Sequence, residues 1–276
     1  MNSATIPTLP RLSAHRYVQP LREGGSLPAV VETGDGLFVV KFRGAGQGPK
    51  ALVAELIVGL MARTLDLPVP ELALVDVPPP FGRSEPDPEI QDLLRQSHGI
   101  NVGIRYLDGA FNFDGNAAGD LLDEEFATRL VWLDALVTNP DRTHRNPNLL
   151  IWQRRPWLID HGAALYAHHD WAGVDDERTR TPFPFIRDHV LLTRSGDIAG
   201  RDPALAALLD EPVLRDILDA VPDELLGGAE SSAEARARYL EYLVTRLRPP
   251  RPFAAEITSA RERRRNEAPQ ALKARR

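Results

Sequence analysis

The sequence predicts an α+β chain in two lobes, a β-rich first lobe with one main helix and a mostly helical second lobe. Three observations carry that expectation. Five β-prone runs bounded by Gly, Pro or charged turns fall within residues 15–107, and one long helical pattern interrupts them at 49–65. Beyond residue 111, apolar residues recur at helical spacing over 123–137, 203–209, 211–220 and 233–248. Between these regimes, Leu130–Gly162 passes from an apolar segment into the polar loop Asn139–Asn148, then through two short apolar runs to Asp160-His161-Gly162.

Residues 1–13 are rich in Ser, Thr and Pro without periodicity, so a disordered N-terminus is expected there. His15–Leu21 reads as a strand, ended by Arg22-Glu23-Gly24-Gly25-Ser26. Pro28–Thr33 and Leu37–Phe42 read as a hairpin about Gly34-Asp35-Gly36. A Gly-rich connection leads to Pro49, which opens the helix to Leu65, because proline's missing N–H costs nothing in a first turn. Leu67-Pro68-Val69-Pro70 stops the helix. Glu71–Val77 and Gly99–Leu107 follow as strands, with Pro78–Glu89 an exposed loop between them. The boundaries expected are a first lobe over 14–109 with a hinge at Tyr106–Ala110, a second lobe over 110–250, and a basic tail over 251–276.

Zero cysteines exclude disulfides and thiolate metal sites and fit a reducing compartment. The start, MNSATIPTLPRLS, lacks the features of an export signal, and the best apolar run, Ala51–Leu67, is broken by Glu55, Arg63 and Asp66, so a cytoplasmic protein without a membrane partner is expected. His168, His169 and His189 have no zinc spacing and read as surface or structural residues. From Arg251 on, eight basic residues face three acidic ones, so this end carries +5 and the remainder −11. A solvated helix end that frays is favoured there over a contact with nucleic acid.

Of the 33 basic residues only Lys41, Lys50 and Lys273 are lysines. A lysine in the apolar strand Leu37–Phe42 therefore points to a site wanting a compact ammonium rather than a planar guanidinium. Glu55 falls near the buried face of the following helix, where an unpaired carboxylate is costly, and an ion pair with Lys41 satisfies both. Leu149–Trp152 and Trp157–Ile159 read as a hairpin, which returns its far end to its start and brings Asp141, Asn146, Asn148 and Asp160 together. Two carboxylates with one or two amides suit Mg²⁺ and a phosphate-bearing ligand. Gly24, Gly25 and Ser26 offer backbone N–H groups to phosphate, or form an ordinary turn.

Along the chain these parts run in the order of phosphoryl-transfer enzymes: Gly-rich loop, strand Lys, helix Glu, Asp with a following Asn, then Asp before Gly. The segments REGGS, VVKF, AEL, LPVPELALV, IRYLDGA, TNPDRTHRNPNLLI and LIDHG resemble the HipA-like kinases, a bacterial branch of the protein-kinase-like fold, over about residues 15–250. The loop also resembles the lipid-kinase type, in which Arg follows the catalytic Asp. The resemblance implies a bilobal protein-kinase-like fold using ATP and Mg²⁺. It assigns Asp141 as catalytic base, Lys41 as phosphate-binding lysine, Glu55 as its partner and Asp160 as main metal ligand. Asn146 has the kinase spacing and Asn148 the kinase position before the strand; Asn148 is slightly favoured and both are kept. The backbone at Tyr106 is assigned to adenine. His161 replaces the usual Phe and is expected to point out of the core, while Arg142 and His144 either touch phosphate or support Asp141, or are simply loop residues held by backbone contacts. The function implied is transfer to a hydroxyl, foremost protein Ser or Thr, with a protein substrate and an antitoxin-like partner. The alternatives are a small-molecule or lipid-type phosphotransferase and a non-catalytic nucleotide-binding protein.

Overall fold

The structure is a computed structural model describing residues 6–21, 27–83, 85–115, 121–228 and 230–273, with side chains to 267. Gly24, Gly25 and Ser26 lie outside the described residues.

The first strands close into a barrel. β1 (Arg11–Pro20) pairs with β2 (Ala29–Thr33), which forms a hairpin with β3 (Gly36–Lys41). Helix α1 (Gly48–Thr64) and strand β4 (Leu72–Val77) follow, then helix α2 (Pro88–Gln96) and strand β5 (Gly99–Arg105). Strand β5 lies between β3 and β4, and a parallel pairing of β4 with β1 completes the ring. Alternation fills it: Ala29 and Val31, Phe38 and Val40, Ala73 and Val75 share one buried cluster. A Cβ on Gly103 would sit 2.7 Å from Val75 Cγ2, so only glycine fits that point of the ring.

The opposite faces of β4 and β5, through Leu72, Leu74, Val102 and Ile104, belong to a second core that includes α1. Every residue of α1 from Leu52 to Ala62 is buried, because strands cover one side and later helices the other.

The polar loop is held by α3 (Glu124–Leu136) and a three-stranded sheet. Asp123 caps α3 by accepting from Phe126 N–H, and Glu124 and Glu125 complement its N-terminal dipole. In the sheet, β6 (Phe111–Asn112) pairs with β7 (Leu149–Trp152), which pairs with β8 (Arg155–Leu158). Gln153 and Arg154, both at positive φ, make the tight two-residue turn of that hairpin. The helices α4 (Asp176–Thr179), α5 (Ile198–Leu208), α6 (Glu211–Asp219), α7 (Asp223–Leu226), α8 (Ser232–Leu247) and α9 (Pro252–Lys273) complete the chain.

Several boundaries differ from expectation. Residues 9–13 are ordered by tertiary contact rather than local pattern: Leu9 joins the second core and Arg11 pairs in register with Leu74. Helix α2 starts inside the stretch read as an exposed loop, with Asp87 as N-cap, Pro88 in the first turn and Glu89 behind it. Helix α5 begins five residues before Pro203, because Asp197 caps it. Residues 252–273 of the stretch read as a basic tail form α9, whose first half is core: Phe253, Ala254, Ile257 and Ala260 are buried, and Phe253 meets Trp132 edge-on at 5.6 Å. Arg251, just before the helix, pairs with Asp202 at 2.9 Å, and Arg261 donates to the Gly196 carbonyl at 2.6 Å.

Candidate active site

Strand β3 ends on Lys41, whose side chain leaves the barrel on the face opposite Val40 and meets α1. Its Nζ donates to Glu55 Oε2 at 2.7 Å and to Asp160 Oδ1 at 2.6 Å. Glu55 is fully buried, and the same Oε2 also accepts from the His161 backbone N–H at 2.8 Å. Burial disfavours the Lys41 ammonium, yet Glu55 and Asp160 outweigh it and raise its pKa. Asp160 moves the other way: burial opposes its charge, but Lys41 holds the carboxyl below the usual range.

The hairpin accounts for the neighbouring geometry. Leu149 pairs with Leu158, so Ile159 N–H reaches the Asn148 carbonyl at 3.1 Å and Asn148 and Asp160 flank the two strand ends. Both adopt the left-handed region, φ +48° and +57°, which short polar side chains tolerate best. Asn148 Nδ2 donates to Asp141 Oδ2 at 3.1 Å, and Asn146 Nδ2 donates to the same oxygen at 2.8 Å. Asn148 is buried and Asn146 exposed.

Arg142 is 1% exposed and lies beneath this arrangement. Its guanidinium pairs with Asp134 at 2.6 Å, donates to the Asn148 carbonyl and, at 3.4 Å, to the Ile159 carbonyl. It therefore supports the loop from below, whereas His144 is exposed on the cleft wall. His161 does not point outward, contrary to expectation: it is 1% exposed, and its Nδ1 accepts from Arg142 Nη2 at 3.3 Å. Arginine only donates, so the ring proton is on Nε2. Burial first, with Arg142 adding to it, pushes His161 down to about 4, leaving a neutral ring at pH 7. A side chain able to accept from Arg142 is what drew this position inward.

These groups open onto one cleft of about 1690 Å³, lined by Lys41, Tyr106, Asp141, Asn146, Asn148 and Asp160. Tyr106 N–H is already bonded to the Leu37 carbonyl at 3.0 Å. Val190, Thr193 and Arg194 also line the cleft. They arrive through a bridge between Thr143 and His189 and a bond from Val190 N–H to the Arg142 carbonyl, long-range contacts with no local sequence signal. No cluster of three His, Cys, Asp or Glu side chains occurs among the described residues. The donor set is carboxylate and carboxamide oxygen, which suits a hard cation that completes its shell with water and phosphate oxygens.

A sequence model of the family described as HipA-like kinase matches residues 16–176, from within β1 to the start of α4. The chain belongs to the HipA-like kinases. Among solved structures, the Helicobacter pylori proinflammatory kinase CtkA is similar in fold, with a TM-score of 0.52 at 14% identity over 93% of this chain and 99% of that one. Comparison with curated proteins gives no match. As a HipA-like kinase the chain is a phosphotransferase of kinase type, and among the described residues no helix is long and apolar enough to cross a membrane.

Proposed function

We propose that this HipA-like kinase uses ATP and Mg²⁺ to phosphorylate a hydroxyl, with Ser or Thr of a protein as the acceptor class and the cytoplasm as its place of action. The observation carrying this is Lys41 held between Glu55 and Asp160 in the same cleft as Asp141 with its two asparagines. Residues 14–109 act as a nucleotide lobe and 110–250 as a catalytic lobe, with α1 shared between their cores. Lys41 binds phosphate, and Glu55 keeps its ammonium in place from below. Gly24, Gly25 and Ser26 are proposed to cover the phosphates, and the Tyr106 carbonyl to receive adenine.

Asp160 and Asn148 are the proposed ligands of Mg²⁺, which when bound neutralises charge on the phosphates. Burial of Asn148 and its place beside the Asp160 strand end favour it over Asn146. Asn146 serves instead to hold Asp141 Oδ2. Asp141 orients the acceptor hydroxyl and takes its proton as the phosphoryl group departs from ADP. An antitoxin-like partner enters this proposal through the family alone.

Labelled ATP incubated with the chain alone and then with cell lysate tests the reading. Label on protein bands is expected. Label in small molecules would shift the assignment to a small-molecule phosphotransferase. Absence of transfer with a nucleotide-raised melting temperature would leave a binding protein.

A further inference from the structure

We infer that Asp134, two residues before the end of α3, is the positioning residue of this active site, acting through three arms that fix the base, the metal ligands and the far cleft wall. The inference rests on the proposed role of Asp141. Asp134 is fully buried on a helix whose residues Leu130–Leu136 are all buried, so it is held rigidly. The first arm is Asn139: its Nδ2 donates to Asp134 Oδ1 at 3.0 Å, and its Oδ1 accepts from Asp141 N–H at 3.1 Å. The second is Arg142, paired with Asp134 Oδ2 at 2.6 Å and donating to the carbonyls of Asn148 and Ile159, the residues at the two hairpin ends. The third is His189, 3.0 Å from Asp134 Oδ2. Leu191 N–H donates to His189 Nδ1 at 3.0 Å, so the ring proton is on Nε2 and points at the carboxylate. His189 thereby fixes the segment that leads to Thr193 and Arg194 on the cleft wall.

Stability alone does not explain such a cluster. A buried ion pair is often matched or bettered by apolar side chains of equal volume, because desolvation offsets its attraction. Here Asn139 and Arg142 continue to backbone groups of Asp141, Asn148 and Ile159 in the cleft, and His189 to Leu191, next to Val190 of the cleft wall. One carboxylate thus sets Asp141, the Asn148–Asp160 pair and the opposite wall relative to one another.

The test uses the full chain, labelled ATP alone as phosphoryl donor, and Mg²⁺ with ADP as the binding probe. Asn139→Ala leaves the Asp134–Arg142 pair intact. It is expected to slow γ-phosphate turnover by about 10-fold or more, the usual size of an outer-shell loss, at unchanged Mg·ADP affinity. Arg142→Lys is expected to raise the Mg²⁺ concentration needed for ADP binding by about 10-fold or more, and Asp134→Asn to do both. If Asn139→Ala and Arg142→Lys melt cooperatively yet keep turnover and Mg²⁺ requirement within about twofold of wild type, the inference is overturned even should Asp134→Asn fail to fold. Asp141→Asn run alongside separates the two ideas. Full activity in it overturns the role of Asp141, whereas an inactive Asp141→Asn with a silent Asn139→Ala overturns only the role of Asp134.

Discussion

Replacing Lys41 by Met tests the ion pair and the chemistry separately. Lys41 is the only side chain donating to Glu55 among the described residues; the other donor to that carboxylate is one backbone N–H, and Oε1 has no partner among them. Removing the ammonium leaves a carboxylate with no exposed surface unpaired, which costs about 3–5 kcal/mol. At about 2–4 °C per kcal/mol for a chain near this size, the melting temperature falls by roughly 10 °C. The sign with pH follows from the raised Lys41 pKa. A raised lysine gives its full stabilisation below its unfolded value of 10.5 and loses it only as pH rises through the folded value. The gap between wild type and Lys41→Met should therefore not vary with Lys41 ionisation between about pH 7 and 9. Lys41→Met with Glu55→Leu removes both charges and should recover most of the melting temperature, while phosphoryl transfer stays lost in both variants. Thermal melts and labelled-ATP transfer read the two effects. A single variant melting within about 2 °C of wild type would refute the argument, as would a double variant less stable than the single.

Asp141→Ala should abolish transfer while nucleotide binding persists, and Asp160→Ala should also lose the Mg²⁺-dependent part of binding; full activity in Asp141→Ala would sink the assignment. Burial first, then His169 and Lys50, push His168 down to about 3. The unfolded chain then binds more protons than the folded one between about pH 3 and 6.5, so stability rises with pH through that window and levels above it. At about 1.4 kcal/mol per unit, His168 accounts for roughly 2 kcal/mol lost between pH 7 and 5. Urea titrations of His168→Gln at both pH values should show that share removed, with the buried His161 and His189 keeping the rest; an unchanged difference would count against it. Phe253→Ala should cost about 3–5 kcal/mol, whereas Arg264→Ala, exposed on the same helix, should stay within about 0.5 kcal/mol by denaturant midpoint.

Much of the site was legible because its parts lie close in sequence or repeat a short-range rule. A two-residue hairpin fixes which residues flank its ends, so Asn148 and Asp160 follow from the spacing of Leu149–Trp152 and Trp157–Ile159. Lys41 and Glu55 follow from strand alternation and from the cost of a lone buried carboxylate. Helix α2 was missed although Asp87-Pro88-Glu89 carries its signal, an N-cap, first-turn proline and acidic residue, because the prolines before them read as loop. What the sequence hid depends on partners far along the chain. The first half of α9 looks like a charged end until Phe253 and Ile257 meet the core around Trp132.

His161 is the sharper case, because its direction depends on the residue that replaced a phenylalanine's surroundings with a polar one. An imidazole beside apolar α1 would turn toward water to keep its nitrogens bonded. Arg142 removes that need on one side by donating to Nδ1, and the price is Nε2, buried without a partner among the described residues. The inward His161 is thus a consequence of Arg142, and Arg142 is inward because Asp134 is there to receive it. The order of dependence runs from the helix to the loop to the acidic turn. Direction at the Asp160 turn is therefore set in α3, about 26 positions upstream, where periodicity reports a buried face but not which buried residue carries charge.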